Sequence, residues 1–151
     1  MIYVDADACP VKAEVEKVAT RHRIKAVMVC DGGLRPSQNP WIETRYVTEG
    51  LDAADDWIVE QAGPGDIVAT NDIPLADRAL EKGARVLRFD GEELTTRNIA
   101  DRLAARNLSD FRRQDPMAMQ KAAPARNADR EKQGFLNALE RMVRLVEKKS
   151  D

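Results

Sequence analysis

Histidine is all but missing from this chain: His22 is the only one in 151 residues. That scarcity rules out a multi-histidine zinc site, and no Ser-His-Asp triad can be built. His22 itself falls near the end of the first expected helix, where a protonated ring complements the helix dipole, so it reads as structural rather than catalytic. Cysteine is almost as sparse. Cys9 and Cys30 form no CxxC pair, so no disulfide framework is expected and both thiols read as buried or half-buried. Cys9 stands at a helix start, a place that lowers a thiol pKa, but no arginine follows within the next several residues to hold a phosphate. The phosphate-cradling loops G-x-x-x-x-G-K-S/T and G-x-G-x-x-G are both absent. No apolar run approaches the ~20 residues that a membrane span needs. Nor does the N-terminus carry a basic region followed by a long apolar stretch. The expectation is a cytoplasmic protein with no membrane partner. Neither sign of charge dominates, since 24 Lys and Arg against 26 Asp and Glu leave a formal net charge of -2. That balance gives no global footprint of a nucleic-acid binder and leaves a local basic rim around an acidic site as the alternative.

What is present is the balance of a soluble globular chain, 43% hydrophobic and 33% charged, with a length that suits one domain and a sizeable core. Its first ten residues organise the rest. Ile2-Tyr3-Val4 reads as a buried strand that runs into Asp5-Ala6-Asp7, and Pro10 suits the first turn of a following helix. Val11, Val15, Val18, Ala19 and His22 recur at helical spacing, and 24–30 is a second strand ending at Asp31-Gly32-Gly33. A turn-rich loop leads to Arg45-Tyr46-Val47, a short strand. Asp52 caps a helix with Ala54, Trp57, Ile58 and Ala62 on one face. Trp41 and Trp57 read as packing residues rather than base-stacking platforms. Ile67-Val68-Ala69 is the fourth strand, meeting Thr70-Asn71-Asp72. Pro74 opens a helix with Leu75, Ala76, Ala79 and Leu80 inward, and Val86-Leu87 is the fifth strand. Such alternation predicts an α/β fold, a three-layer α/β/α sandwich around a central, mostly parallel sheet of about five strands.

Past Asp90-Gly91 the chain is expected to turn helical, with Ile99, Leu103 and Phe111 inward. Residues 1–113 therefore form the α/β domain. The segment 114–128 holds prolines and alanines without a period and reads as a linker. Phe135, Leu139, Met142, Val143 and Val146 mark an amphipathic helix over 129–149, whose stripe either closes the core or makes a homo-oligomer.

Aspartates collect at the expected strand ends and helix starts: Asp5 and Asp7, then Asp52, Asp55 and Asp56, then Asp72. Each has a backbone explanation alone, as a cap or an Asx turn. Together they say more. If strands one and four are neighbours at a switch point, Asp5, Asp7 and Asp72 converge in one crevice. Asp55 can reach the same cleft, while Asp56, about 100° further round the helix, points elsewhere. Carboxylates held that close raise one another's pKa unless a cation neutralises them. All-oxygen ligands favour Mg²⁺ or Mn²⁺ and suit displacement at phosphorus.

The runs Asp5-Ala6-Asp7-Ala8-Cys9-Pro10-Val11-Lys12, Gly50-Leu51-Asp52-Ala53-Ala54-Asp55-Asp56-Trp57-Ile58 and Gly65-Asp66-Ile67-Val68-Ala69-Thr70-Asn71-Asp72-Ile73-Pro74-Leu75-Ala76 closely resemble the YaiI/YqxD family of uncharacterised bacterial proteins. The likeness extends to Phe135-Leu136-Asn137-Ala138-Leu139. That family looks like a branch of the PIN-like nuclease fold, in which acids after the first strand, within a middle helix and after the fourth strand bind Mg²⁺ or Mn²⁺. The resemblance implies Asp5, with Asp7 close by, Asp55 in the middle place with Asp56 as fallback, and Asp72 in the last. It departs from the general PIN-like pattern at Asp7 and at Cys9-Pro10.

The function expected is a metal-dependent phosphodiesterase, a ribonuclease, with these acids as ligands or base and water as nucleophile. Lys12, Arg35 and Asn71 are the candidates for holding the RNA or other phosphodiester substrate. Two alternatives remain open here. One is a haloacid-dehalogenase-type phosphatase with Asp5 as the nucleophile. The other is a non-catalytic RNA- or protein-binding module.

Overall fold

In the computed structural model, which describes residues 1–32, 34–47, 53–112 and 125–149, six strands and five helices are formed. The strands are β1 (Ile2–Asp5), β2 (Ala26–Cys30), β3 (Ile42–Tyr46), β4 (Ile67–Ala69), β5 (Arg85–Leu87) and β6 (Glu93–Leu94). The helices are α1 (Lys12–His22), α2 (Ala53–Gln61), α3 (Ile73–Glu81), α4 (Ile99–Arg112) and α5 (Ala125–Lys149). One sheet results, in the order β3-β2-β1-β4-β5-β6. Every neighbouring pair is parallel except β5 with β6.

The near-continuous apolar runs of β1, β2, β4 and β5 follow from burial on both faces, because successive side chains point to opposite sides of a strand. Ile2, Val4, Ala26, Met28, Ile67, Ala69 and Leu87 face one core, with Val15 and Val18 of α1 and Phe135 and Leu139 of α5. Tyr3, Val27, Val29, Val68 and Val86 face the other, with Ile58 of α2, Leu75, Ala76 and Ala79 of α3, and Ile99 of α4. The layers are thus α1 and α5, the sheet, then α2, α3 and α4. Trp57 packs edge-on against Tyr3, with ring centroids 5.9 Å apart. The Arg45 guanidinium lies 5.2 Å from the centre of the Trp57 ring. Trp57 is therefore a packing residue, as its place on the apolar stripe predicts.

Several boundaries differ from those read in the sequence. The third strand lies at Ile42–Tyr46 rather than 45–47, because Ile42 supplies its one buried side chain. A single 3₁₀ turn, Ala6–Ala8, separates β1 from α1. Pro10 consequently precedes the N-cap, Val11, instead of sitting in the first turn. The two-residue β6 intervenes before α4 and adds an antiparallel edge. Helix α5 begins at Ala125, so the end of the expected linker is helical; residues 113–124 and the expected cap Asp52 lie outside the described residues. No helix among the described residues is long and apolar enough to cross a membrane.

The stripe of α5 is inside: Phe135, Leu139 and Val143 are fully buried, and Met142 and Ala138 nearly so. The helix reaches the loop after β5 without side chains between them. A Cβ on Gly91, whose φ is +96°, would stand 2.7 Å from the carbonyl carbon of Gly134. Two glycines permit that approach, and a methyl group would force the helix off the sheet. Gly91→Ala is expected to destabilise the fold by about 2 kcal/mol or more, and Phe135→Ala by about 3–5 kcal/mol, in urea unfolding. A change at Gly91 of under about 0.5 kcal/mol would contradict the close approach.

Candidate acidic site at the sheet's switch point

Strand β1 lies between β2 and β4, and the chain's order reverses there. In open α/β sheets the crevice at such a reversal, outside the carboxyl ends of the strands, is where ligands bind. The pairing of β1 with β4 matches Val4 to Ala69, so the next residue of each chain, Asp5 and Thr70, are level with one another. Thr70 is fully buried. Its Oγ1 donates to Asp5 Oδ2 at 3.1 Å and accepts from the Asp72 N–H at 3.0 Å. One hydroxyl thereby joins the ends of two strands.

The neighbouring polar groups are tied down in the same manner. Asp72 is the N-cap of α3, with Oδ1 accepting from the Leu75 N–H at 3.1 Å. The capping explanation therefore holds for Asp72, whatever else the residue does. Asp7, on the 3₁₀ turn, accepts through Oδ1 from the Asp31 N–H at 3.0 Å, so it links β1's turn to the end of β2 rather than making a local Asx turn. Asn71 Oδ1 accepts from the Phe89 N–H at 2.8 Å and secures the chain beyond β5. In each of Asp5, Asp7 and Asp72 one carboxylate oxygen serves the fold. The second has no hydrogen-bond partner among the described residues.

These charges work against one another. Burial pushes the Asp5 carboxyl above its ordinary value; the Thr70 bond opposes the shift, and the charges of Asp72 and Asp7 add to it. Asp5 forms no ion pair among the described residues to offset them. The Cys9 thiol is pushed up to about 11, chiefly by burial, which makes it a poor nucleophile at neutral pH. Cys30 is buried and also free.

The other predicted residues are more dispersed. Asp55 stands half-buried in the first turn of α2. Asp56 is exposed and pairs with Arg78 of α3 at 2.9 Å, away from the crevice. Lys12 opens α1, and its charge acts on Cys9. Arg35 is exposed in the loop between β2 and β3. Among the described residues no three His, Cys, Asp or Glu side chains are grouped to hold a metal ion. The donors that do approach one another are hard oxygens, which fits Mg²⁺: that ion is commonly held by one or two carboxylates plus waters and substrate phosphate, not by an all-protein cage. Thr70 is the member whose bridging role the sequence did not yield. Its signal is a Thr two residues before a capping Asp, which makes an ST turn.

A family model described as "Uncharacterized BCR, YaiI/YqxD family" matches residues 3–145. A UPF0178 protein of Ruegeria pomeroyi is 54% identical over 149 residues, covering 97% of this chain and 96% of the relative. One of Roseobacter denitrificans is 52% identical over 144 residues, covering 95% and 94%. Another, from Mesorhizobium japonicum, is 48% identical over 143 residues, covering 95% and 91%. None of these names states an activity. No solved structure matches the chain.

The raised Asp5 carboxyl has a stability consequence. The folded chain binds this proton more tightly than the unfolded one, so stability falls as pH rises from about the ordinary value of 3.8 through the raised pKa. Asp5→Asn keeps an acceptor for Thr70 and removes the charge. In chelator its Tm should exceed wild type by a few degrees at pH 7, a gain that shrinks toward pH 4; an unchanged or lowered Tm at pH 7 contradicts the electrostatic account. Thr70→Val should cost about 1–3 kcal/mol in urea unfolding, because the Asp72 N–H and Asp5 Oδ2 lose a buried partner. A neutral result there would mean that water replaces the hydroxyl.

Proposed function

The chain belongs to the uncharacterised YaiI/YqxD family, and on that premise we propose that it is a metal-dependent phosphodiesterase acting on RNA. The observation that carries this reading is the meeting of Asp5 and Asp72 across buried Thr70 at the switch point, each with one oxygen engaged in the fold and one open. Asp5 and Asp72 would hold Mg²⁺ or Mn²⁺, with Asp7 beside them and Asp55 as the acid of the middle helix. When bound, the cation supplies charge neutralisation at the phosphoryl oxygens and a more acidic water.

The chain's own residues do the rest. Thr70 orients Asp5, and the N-terminal amides of α3 orient Asp72, so neither carboxylate has to be organised when substrate arrives. Asp7, with Oδ2 open, is the base that takes the proton of the attacking water. Asn71, Lys12 and Arg35 are the donors assigned to the substrate phosphate on this reading.

The haloacid-dehalogenase-type alternative makes Asp5 a nucleophile. Both chemistries call for an ionised Asp5 beside a cation, and what separates them is whether the phosphoryl group passes through a covalent bond to Asp5.

Calorimetric titration with Mn²⁺ tests the proposal. Asp5→Asn and Asp72→Asn, which retain the Thr70 bond and the helix cap, should each weaken binding at least tenfold, about 1.4 kcal/mol, while circular dichroism stays native. Both should abolish Mn²⁺-dependent cleavage of single-stranded RNA. Folded wild type that binds no ion, or variants that bind as well as wild type, would overturn the reading. A phosphate mimic trapped covalently on Asp5 would transfer it to the phosphatase class.

A further inference from the structure

A cavity of about 190 Å³ is lined by Pro10, Asn71, Arg88, Asp90, Glu131 and Lys132 among others. Asn71 belongs to the Thr70-Asn71-Asp72 turn, so the cavity adjoins the acidic site, while Lys132 comes from α5 across the layer. Its donors are unusually free. Lys132 is half-buried and makes no ion pair among the described residues. The Arg88 Nε is buried without a hydrogen-bond partner among the described residues, which leaves the terminal guanidinium nitrogens as the donors a ligand could meet. Among the described residues the Arg88 guanidinium reaches only Glu92, at 3.5 Å, and the Glu92 carboxylate also takes Arg102. One acid thus serves two guanidinium groups. Asn71 gives its oxygen to Phe89, and its amide N–H groups have no partner among the described residues. The rim also carries two acids, equal in number to its two cations but not paired with them. Asp90 is exposed, accepts from the Glu92 N–H at 2.9 Å and pairs with neither cation. Glu131 is exposed and likewise unpaired with them.

We propose that Arg88, Lys132 and the Asn71 amide form a phosphate-binding subsite of the substrate cleft, built jointly by the loop after β5 and by α5. A guanidinium, an ammonium and an amide supply donors without acceptors to a group that has acceptors without donors. The size suits a phosphate with part of its sugar. Repulsion by Asp5, Asp7 and Asp72 makes such an anchor necessary, since those acids disfavour any polyanion that approaches without compensation. The identity of the ligand rests on the phosphodiesterase reading; the existence of the anion site rests on this cavity alone.

Binding of a short single-stranded RNA labelled at its 3′ end, followed by fluorescence anisotropy in EDTA, tests the subsite without any cleavage. Lys132→Ala should weaken binding at least fivefold and lower the salt slope by about 1, as expected for one lost phosphate contact. Arg88→Gln, confirmed folded by circular dichroism, should act in the same direction. Lys17→Ala, on the exposed face of α1 outside this cavity, should change binding less than twofold. Comparing 5′-phosphorylated with 5′-hydroxyl RNA separates the sources of phosphate. A difference that Lys132→Ala erases assigns a terminal phosphate, and equal losses assign an internal one. The proposal is overturned if wild type binds neither RNA nor inorganic phosphate, or if Lys132→Ala and Lys17→Ala weaken binding equally. RNA binding that depends on Lys132 without cleavage in any divalent ion would remove the phosphodiesterase reading and leave the subsite; cleavage indifferent to Lys132 would do the reverse.

Discussion

The parallel pairing of β1 with β4 is the constraint on which the site depends. By matching Val4 to Ala69 it brings Asp5 level with Thr70. A slip of one residue would turn Asp5 to the opposite face and bury Tyr3 on the wrong side, because side chains alternate along a strand. The apolar pattern that chooses the register for packing therefore also aims the carboxylate. Thr70 completes the arrangement: fully buried, it is satisfied only because Asp5 accepts its proton and Asp72 donates to its oxygen. Removing either partner would leave half of its hydrogen-bonding capacity buried and unmet.

The cluster is built against its own stability. Asp5 loses hydration on burial and lies under the charges of Asp72 and Asp7, and among the described residues the compensation comes from the Thr70 bond. Folds retain such unfavourable charge where something else gains from it, and strained electrostatics of this kind gather at functional sites. What makes the arrangement tolerable is the rigidity around it: the cap of α3, the bond from Asp31 to Asp7 and the bond from Phe89 to Asn71 each spend one side-chain oxygen on holding the backbone.

Helix α5 links the core to the cleft. Its apolar stripe fills one layer through Phe135, Leu139 and Val143, and its Gly134 rests against Gly91. The contact lies in the same β5–β6 connection that carries Arg88 and Phe89. Lys132, half a turn before Gly134, is thereby brought to the cavity that Asn71 and Arg88 also line. The stripe read in the sequence as closing the core or making an oligomer closes the core, and the same helix also lines the cavity through Glu131 and Lys132.

The sequence by itself determined the α/β class, the strand runs at Ile2-Tyr3-Val4 and Ile67-Val68-Ala69, the inward faces of α1, α3 and α5, and the resemblance to the family to which the chain belongs. These follow from local periodicity and from residues adjacent in the chain, which need no knowledge of distant partners. Only the tertiary structure decided that β1 and β4 are neighbours, that Thr70 bridges them, that Asp56 turns to Arg78, and that Arg88 and Lys132 share a cavity. Those facts join residues tens of positions apart, and a linear pattern specifies what each segment buries without specifying against which other segment it is buried.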